Sequence, residues 1–304
     1  MQYQPSGILL VDKPVDMTSA RVVTRVKKCL KAKKVGHAGT LDPFATGVLI
    51  CLINRATRIA RFFLQGNKKY EAVLCLGIET DTQDATGRVI SRCDDIAISE
   101  RSLGAAFKMI EGENQQVPPV FSALKQNGVP LYKLARSGKP FQKRARRIFI
   151  SSARIIEINL PIIRFEVSCT SGTYIRTLCS DIGKTLGCGG HLKELRRLES
   201  SGFTLEKELT VTELEKLALE GKLSEQIIGM SKALDDFPEI VADHTLAQKI
   251  LHGQTITRAD FLSGQIDRYG QDDFIKIVDK KDHLLAIINE QGDNCVFNYC
   301  CVLQ

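Results

Sequence analysis

The first ordered pattern along the chain is an unbroken apolar run at 7–11, GILLV, closed by Asp12, Lys13 and Pro14. A run this short and this apolar predicts a short buried strand. Thr18 and Ser19 can cap a helix beginning near Ala20. On it Val22, Val26 and Leu30 recur at four-residue steps, while Arg21, Arg25 and Lys28 occupy another face, joined by Lys27, Lys31 and Lys34. A loop of glycines and small residues follows at 36–43, then an apolar stretch to Ile53. The pattern next predicts a helix over 56–64, a strand over 70–76, a turn at 81–87 (DTQDATG), a strand over 88–91 and a helix over 100–110. Residues 114–147 hold Pro118, Pro119, Gly128, Pro130, Gly138 and Pro140, which favours an excursion of loops and short elements over a core unit. A strand pair at 148–158 and 162–169 comes next, then helices over 173–186 and 210–219. Ile175, Leu178, Ile182 and Leu186 share one side of the first of these helices.

Near 223–238 the pattern changes. A helix at 246–252 is followed by short strands at 274–278, 284–288 and 295–302, separated by turns containing Asp, Lys and Gly. Close spacing of short strands predicts a small β-barrel of roughly 65–70 residues. The fold class expected is therefore α+β, with a large unit over 1–230 and a small β-rich unit over 238–304. A length of 304 residues agrees with two domains.

Composition narrows the picture. At 43% hydrophobic and 25% charged, the chain is ordinary for a globular protein and excludes a disordered or disulfide-stapled class. Its longest apolar runs fall far short of the roughly 18 residues of a membrane span. The start has no basic segment followed by a long apolar one, so a cytoplasmic location without membrane association is expected. None of the ten cysteines stands in C-x-x-C spacing, which points to reduced buried thiols and away from a metal site.

Charge is informative once mapped. Residues 17–41 carry seven Lys or Arg and no acid; residues 114–156 carry nine and no acid. These segments sum to +16, so with a net charge of +7 the remainder carries −9. Two acid-free cationic segments on an otherwise acidic chain fit a polyanionic partner.

Asp42 lies between Leu41 and Pro43 in a bend containing Gly36, Gly39 and Gly47, with His37 five residues earlier. Glycines let a backbone approach a ligand closely, and the proline holds the preceding residue extended. A lone Asp before Pro is ordinarily a turn residue, and the residues alone leave both readings open. No nucleophile elbow, P-loop or dinucleotide fingerprint is present.

The segment GHAGTLDPFATGVL resembles the signature of the TruB family, the bacterial tRNA pseudouridine-55 synthases. Four ordered stretches resemble the same family: GILLVDKP at 7–14, the block at 68–87, PPVFSALKQNGVPLYKLARSG at 118–138 and the block at 171–203. The C-terminal strands resemble a PUA domain. The resemblance implies a mixed, largely antiparallel central sheet flanked by helices. It implies an isomerase that converts the uridine at position 55 of the tRNA T-loop to pseudouridine. It assigns Asp42 as the essential aspartate, Tyr70 as the tyrosine that stacks on the target base, and Arg176 as the arginine that pairs with the aspartate. Tyr174 shares the Y-x-R motif with Arg176, His37 contacts displaced RNA, Leu195 lines the substrate pocket and Lys13 supports the site. No cofactor and no metal are implied, because nothing is oxidised and no group is imported.

On this reading a cation beside Asp42 lowers its pKa and keeps it ionised. The partner expected is the T-stem and loop of tRNA, gripped by the two cationic segments, with no obligate protein partner. Two alternatives stay open: a non-catalytic tRNA chaperone on the same fold, and a guide-RNA-dependent rRNA pseudouridine synthase.

Overall fold

The computed structural model describes residues 5–119, 125–126, 129–130, 144–206, 208–261, 266, 273–290 and 296–303. Most of the basic excursion expected over 114–147 lies outside them. Its described parts are the two ends and a short strand pair.

The strands, in chain order, are β1 (Gly7–Lys13), β2 (Val35–His37), β3 (Thr46–Ile53), β4 (Lys68–Leu76), β5 (Ile78–Thr80), β6 (Val89–Arg92), β7 (Gly112–Gln116), β8 (Lys125–Gln126), β9 (Val129–Pro130), β10 (Arg146–Asn159), β11 (Ile162–Cys169), β12 (Gly190–Ser200), β13 (Phe203–Thr204), β14 (Leu209–Thr210), β15 (Glu239–Val241), β16 (Ile256–Thr257), β17 (Ile275–Val278), β18 (Leu284–Glu290) and β19 (Val296–Val302). The helices used below are α1 (Ser19–Leu30), α2 (Ala60–Leu64), α3 (Glu100–Met109), α4 (Ile175–Thr185), α5 (Val211–Leu219) and α6 (His244–Leu251).

A ten-stranded sheet runs β14-β1-β3-β12-β4-β11-β10-β7, with β2 on β3 and β13 on β12. It is mixed: β1–β14 and β3–β12 are parallel and the other pairs antiparallel. The apolar run in β1 is buried, as its pattern predicts, and on both faces. Leu9 and Val11 pack with Val22 and Val26 of α1 and Leu214 of α5. Ile8 and Leu10 pack on the opposite side with Val278, Leu284 and Ile287 of the C-terminal strands. A third cluster joins β4, β10 and β11 to α3 and α4, with Phe107 edge-on to Phe165 at 5.0 Å between centroids.

The C-terminal strands form a sheet ordered β15-β17-β18-β19-β16, covered by Leu246 and Ile250 of α6. Among the described residues this sheet curls into a half-barrel, in agreement with the small β-barrel that strand spacing predicts. Two differences from the pattern reading are local. Residues 56–64 split into a 3₁₀ segment, Asn54–Ile59, and the short α2. Residues 190–200, to which the pattern assigned no element, form the central strand β12.

Candidate active site

The bend carrying Asp42 is fixed from below by two buried polar side chains. Ser19, 2% exposed at the start of α1, accepts from the Leu41 N–H at 2.9 Å and donates to the Leu41 carbonyl at 3.1 Å. Thr18 takes the N-cap position, which frees Ser19 for this work. Lys13, fully buried at the end of β1, donates to the carbonyls of Pro14 (2.9 Å), Met17 (2.6 Å) and Pro43 (3.0 Å). Residues on both sides of Asp42 are thus held by hydrogen bonds from other elements. Lys13 therefore sits beneath the bend, closed to solvent, and acts on its backbone. Burial pulls its amine down to about 8, with Asp42 and Asp16 opposing the shift.

A third anchor comes from β12. Arg197 is 1% exposed; its Nε donates to the Val48 carbonyl at 2.8 Å and Nη2 to the Gly39 carbonyl at 3.1 Å. Gly47 permits the approach that makes this possible. Its φ is 102°, and a Cβ there would lie 2.2 Å from the Arg197 carbonyl oxygen.

Asp42 itself is partly open, its side chain 37% exposed. The Nε of Arg176 lies 3.0 Å from Asp42 Oδ2, and Nη1 of the same guanidinium lies 3.1 Å from Asp84 Oδ2. Arg176 is 6% exposed in the first turn of α4, and Nη1 also donates to the Thr82 carbonyl at 3.3 Å. Asp84 is 3% exposed. It accepts from Thr82 Oγ1 (2.8 Å), the Thr86 amide (2.9 Å) and Thr86 Oγ1 (2.5 Å). One guanidinium therefore spans two carboxylates, one buried and saturated, the other open. The planar fork of arginine suits this; a lysine point charge would not reproduce it.

Burial raises the Asp42 carboxyl above its ordinary range. Arg176 and, less strongly, Lys13 pull it down, while Asp84 adds to the rise. The neighbouring cation lowers the carboxyl, as expected. The pull exists, but desolvation outweighs it.

Tyr70, on β4, is 9% exposed and shares an apolar cluster with Leu41 and Ala45; Leu195 and Phe44 pack against the same cluster. Burial raises its phenol, and the Arg197 guanidinium opposes the shift. His37 ends β2. Its Nδ1 is buried without a hydrogen-bond partner among the described residues, and burial together with Arg197 lowers its pKa, favouring the neutral ring. Tyr174 is the N-cap residue of α4, two positions before Arg176. Among the described residues no group of three or more His, Cys, Asp or Glu is placed to hold a metal ion.

Two family models match the chain. That of the TruB family pseudouridylate synthase N-terminal domain covers residues 27–175, and that of the tRNA pseudouridylate synthase B C-terminal domain covers residues 176–237. The chain belongs to the TruB family. Among its relatives, one named tRNA pseudouridine synthase B from Syntrophotalea carbinolica is 43% identical over 262 residues, 86% of this chain and 85% of that one. A relative of the same name from Geobacter sulfurreducens is 41% identical over 258 residues, 85% of each. Among solved structures, Cbf5 in a Cbf5–Nop10–Gar1 complex superposes with a TM-score of 0.74 at 27% identity, covering 98% of this chain and 85% of that chain. The archaeal box H/ACA sRNP Nop10–Cbf5 complex gives 0.73 at 26% identity, covering 98% and 86%.

In this TruB-family chain the structure brings Asp42 and Arg176 into contact, with Tyr70 and Leu195 in the apolar cluster alongside. It also shows three residues that the sequence reading missed. Asp84 lay in a segment read as turn chemistry, and its spacing from Asp42 gives no hint that one arginine joins them. Ser19 was read as a cap. Arg197 stood in an unassigned segment, where two adjacent arginines look like surface charge.

Proposed function

We propose that this chain converts the uridine at position 55, in the T-loop of tRNA, to pseudouridine. The reaction breaks N1–C1′, turns the detached uracil and joins C5 to C1′. Breaking a glycosidic bond builds positive character at the sugar, which one carboxylate can stabilise or capture. Asp42 is that carboxylate, open to solvent on one side and fixed by Arg176 on the other. The target nucleotide must leave its stack to reach it, which costs less in an RNA loop than in a helix. Tyr70 and Leu195 then hold the uracil, and the C5 proton leaves to the phenol oxygen or to water. His37 and Tyr174 contact the RNA around the opened nucleotide. Lys13 contributes by holding the Pro43 carbonyl. The unit over 1–230 carries the reaction, and the PUA-like unit over 238–304 reaches towards the acceptor end.

The observation that carries the reading is the Arg176 fork between an open and a buried carboxylate. The protein acts on cytoplasmic tRNA without an obligate protein partner or guide RNA. Mass-resolved mapping of pseudouridine in a bare tRNA transcript treated with purified protein tests this. Wild-type protein marks position 55; Asp42→Ala yields no product while binding tRNA within about tenfold of wild type. Binding without product by the wild-type protein would instead favour the chaperone alternative. Product formed only with an added guide RNA would favour the guide-dependent one.

A further inference from the structure

Gln116 is the last residue of β7, where the strand gives way to Val117, Pro118 and Pro119. Prolines lack the N–H that would continue the ladder. Only 3% of Gln116 is exposed. Its carboxamide bonds the main chain of Tyr174 twice: Nε2 donates to the Tyr174 carbonyl at 3.0 Å, and the Tyr174 N–H donates to Oε1 at 2.7 Å. A side chain thus supplies the two bonds that a neighbouring strand would make.

Tyr174 is the N-cap of α4, extended at φ −98° and ψ 107°, and its side chain makes no cap hydrogen bond. Its carbonyl also accepts the first bond of the helix, from the Leu178 N–H at 3.1 Å. The entry angle of α4 is therefore set from outside the helix. Arg176 follows two residues later, and its guanidinium must reach Asp42 at 3.0 Å and Asp84 at 3.1 Å together.

We propose that Gln116 is a positioning residue for the reaction, holding the start of α4 so that Arg176 spans both carboxylates. It touches no substrate. The proposal rests on the Asp42–Arg176 reading above. Gln116 also pairs in register with Arg146 of β10, so both ends of the basic segment meet at this point. The same carboxamide therefore joins the foot of the segment assigned to RNA binding to the helix that carries the arginine.

The interaction needs one donor and one acceptor, and this makes the proposal testable by two substitutions of similar size. Gln116→Met keeps the length and removes both bonds. Gln116→Glu keeps the acceptor but offers a donor only when protonated. Misplacing a catalytic group by about 1 Å costs on the order of a hundredfold in rate. Single-turnover rates on tRNA should therefore fall by about 30- to 100-fold in Gln116→Met, with the tRNA Kd within about threefold. In an Arg176→Lys background the same change should cost less than about threefold, because the group it positions is already lost. The ratio of the Gln116→Glu rate to the wild-type rate should rise as pH falls, as the carboxyl regains a donor.

A Gln116→Met rate within twofold of wild type overturns the proposal. So does a full rate loss that persists in the Arg176→Lys background, or a Gln116→Glu ratio flat in pH. Should Gln116→Met fail to fold, the Gln116→Glu profile decides alone. Silence at Gln116 alongside inactive Asp42→Ala and Arg176→Lys variants sinks only this inference; active variants at those two positions sink the reading beneath it.

Discussion

At Asp42 two influences of opposite sign meet on one carboxyl. Burial raises it, the Arg176 guanidinium lowers it, and burial prevails. If the ionised form is the reactive one, kcat/KM falls as pH drops through the pKa of the free enzyme. The midpoint of that acid limb should lie above the roughly 4 of an ordinary aspartate. Removing the guanidinium leaves only the weaker pull of Lys13 against burial, so Arg176→Gln should move the limb further up, besides lowering turnover by about a hundredfold or more. A pH–rate profile of both proteins on the same transcript measures this. A limb that moves down, or stays in place, would contradict the electrostatics. Asp84 can be tested in the same assay. It adds to the rise at Asp42 but also fixes Nη1 of Arg176, so Asp84→Asn should lower the limb while slowing turnover. The two effects separate charge from geometry, since a purely structural role would slow turnover with the limb unmoved.

Among the elements, the largest difference from the sequence reading is β12, and its cause is physical. Gly190–Ser200 contains Lys193, Glu194, Arg196, Arg197 and Glu199, too polar for the apolar runs that reveal buried strands. Irregularities between Leu192 and Glu194, and between Arg197 and Glu199, break the two-residue alternation as well. Arg197 is tolerated inside because backbone carbonyls of the Asp42 bend and β3 satisfy it. No local pattern reports such long-range partners. By contrast β1, α1 and the β10–β11 pair were legible, because each buries an apolar face set by its own period. The Asp42 bend was legible only through resemblance, since its stability comes from Ser19 and Lys13 on other elements.

A neighbouring element makes a stability prediction. Arg196 pairs with Asp12 at 2.8 Å and lies 3.5 Å from Glu208, beside the point where β14 joins β1. The Glu208 side chain is 8% exposed and its Oε2 has no hydrogen-bond partner among the described residues. Burial, reinforced by the Asp12 charge, raises its carboxyl to about 7. The folded state therefore binds this proton more tightly than the unfolded state between about 4.5 and 7, and stability falls as pH rises through that window. Below it the group contributes no penalty; above it the penalty is complete. Glu208→Gln should thus be neutral near pH 4.5 and stabilising by up to about 3 kcal/mol near pH 8. Urea denaturation of both proteins at the two pH values measures the difference. A gap that fails to widen with pH would place the charge in water.

For the molecule as a whole, the separation of +16 in two segments from −9 elsewhere is the property that matters for finding a tRNA. The structure resolves what the first segment presents. All seven cations between residues 21 and 34 are exposed, while Val22 and Val26 face the core. Arg25 pairs with Glu215 across an exposed gap of 2.7 Å, a contact worth little in water. This face is joined to Asp42 by one short path, because Ser19 at the foot of α1 holds Leu41 next to it. An RNA bound on α1 would therefore lie at a fixed distance from the Asp42 carboxylate.

Phosphate contacts of this kind release counterions, and each contributes about 0.7 to 0.9 to the slope of log affinity against log salt. Binding to tRNA should give a straight line with a slope of at least about 3 in magnitude. Lys27→Gln with Lys28→Gln should reduce that slope by one to two. The lines of the two proteins should converge at high salt, where the lost contacts no longer matter. Filter binding across a salt series measures both slopes. Parallel lines would mean that α1 presents its charge to water and that the grip lies elsewhere.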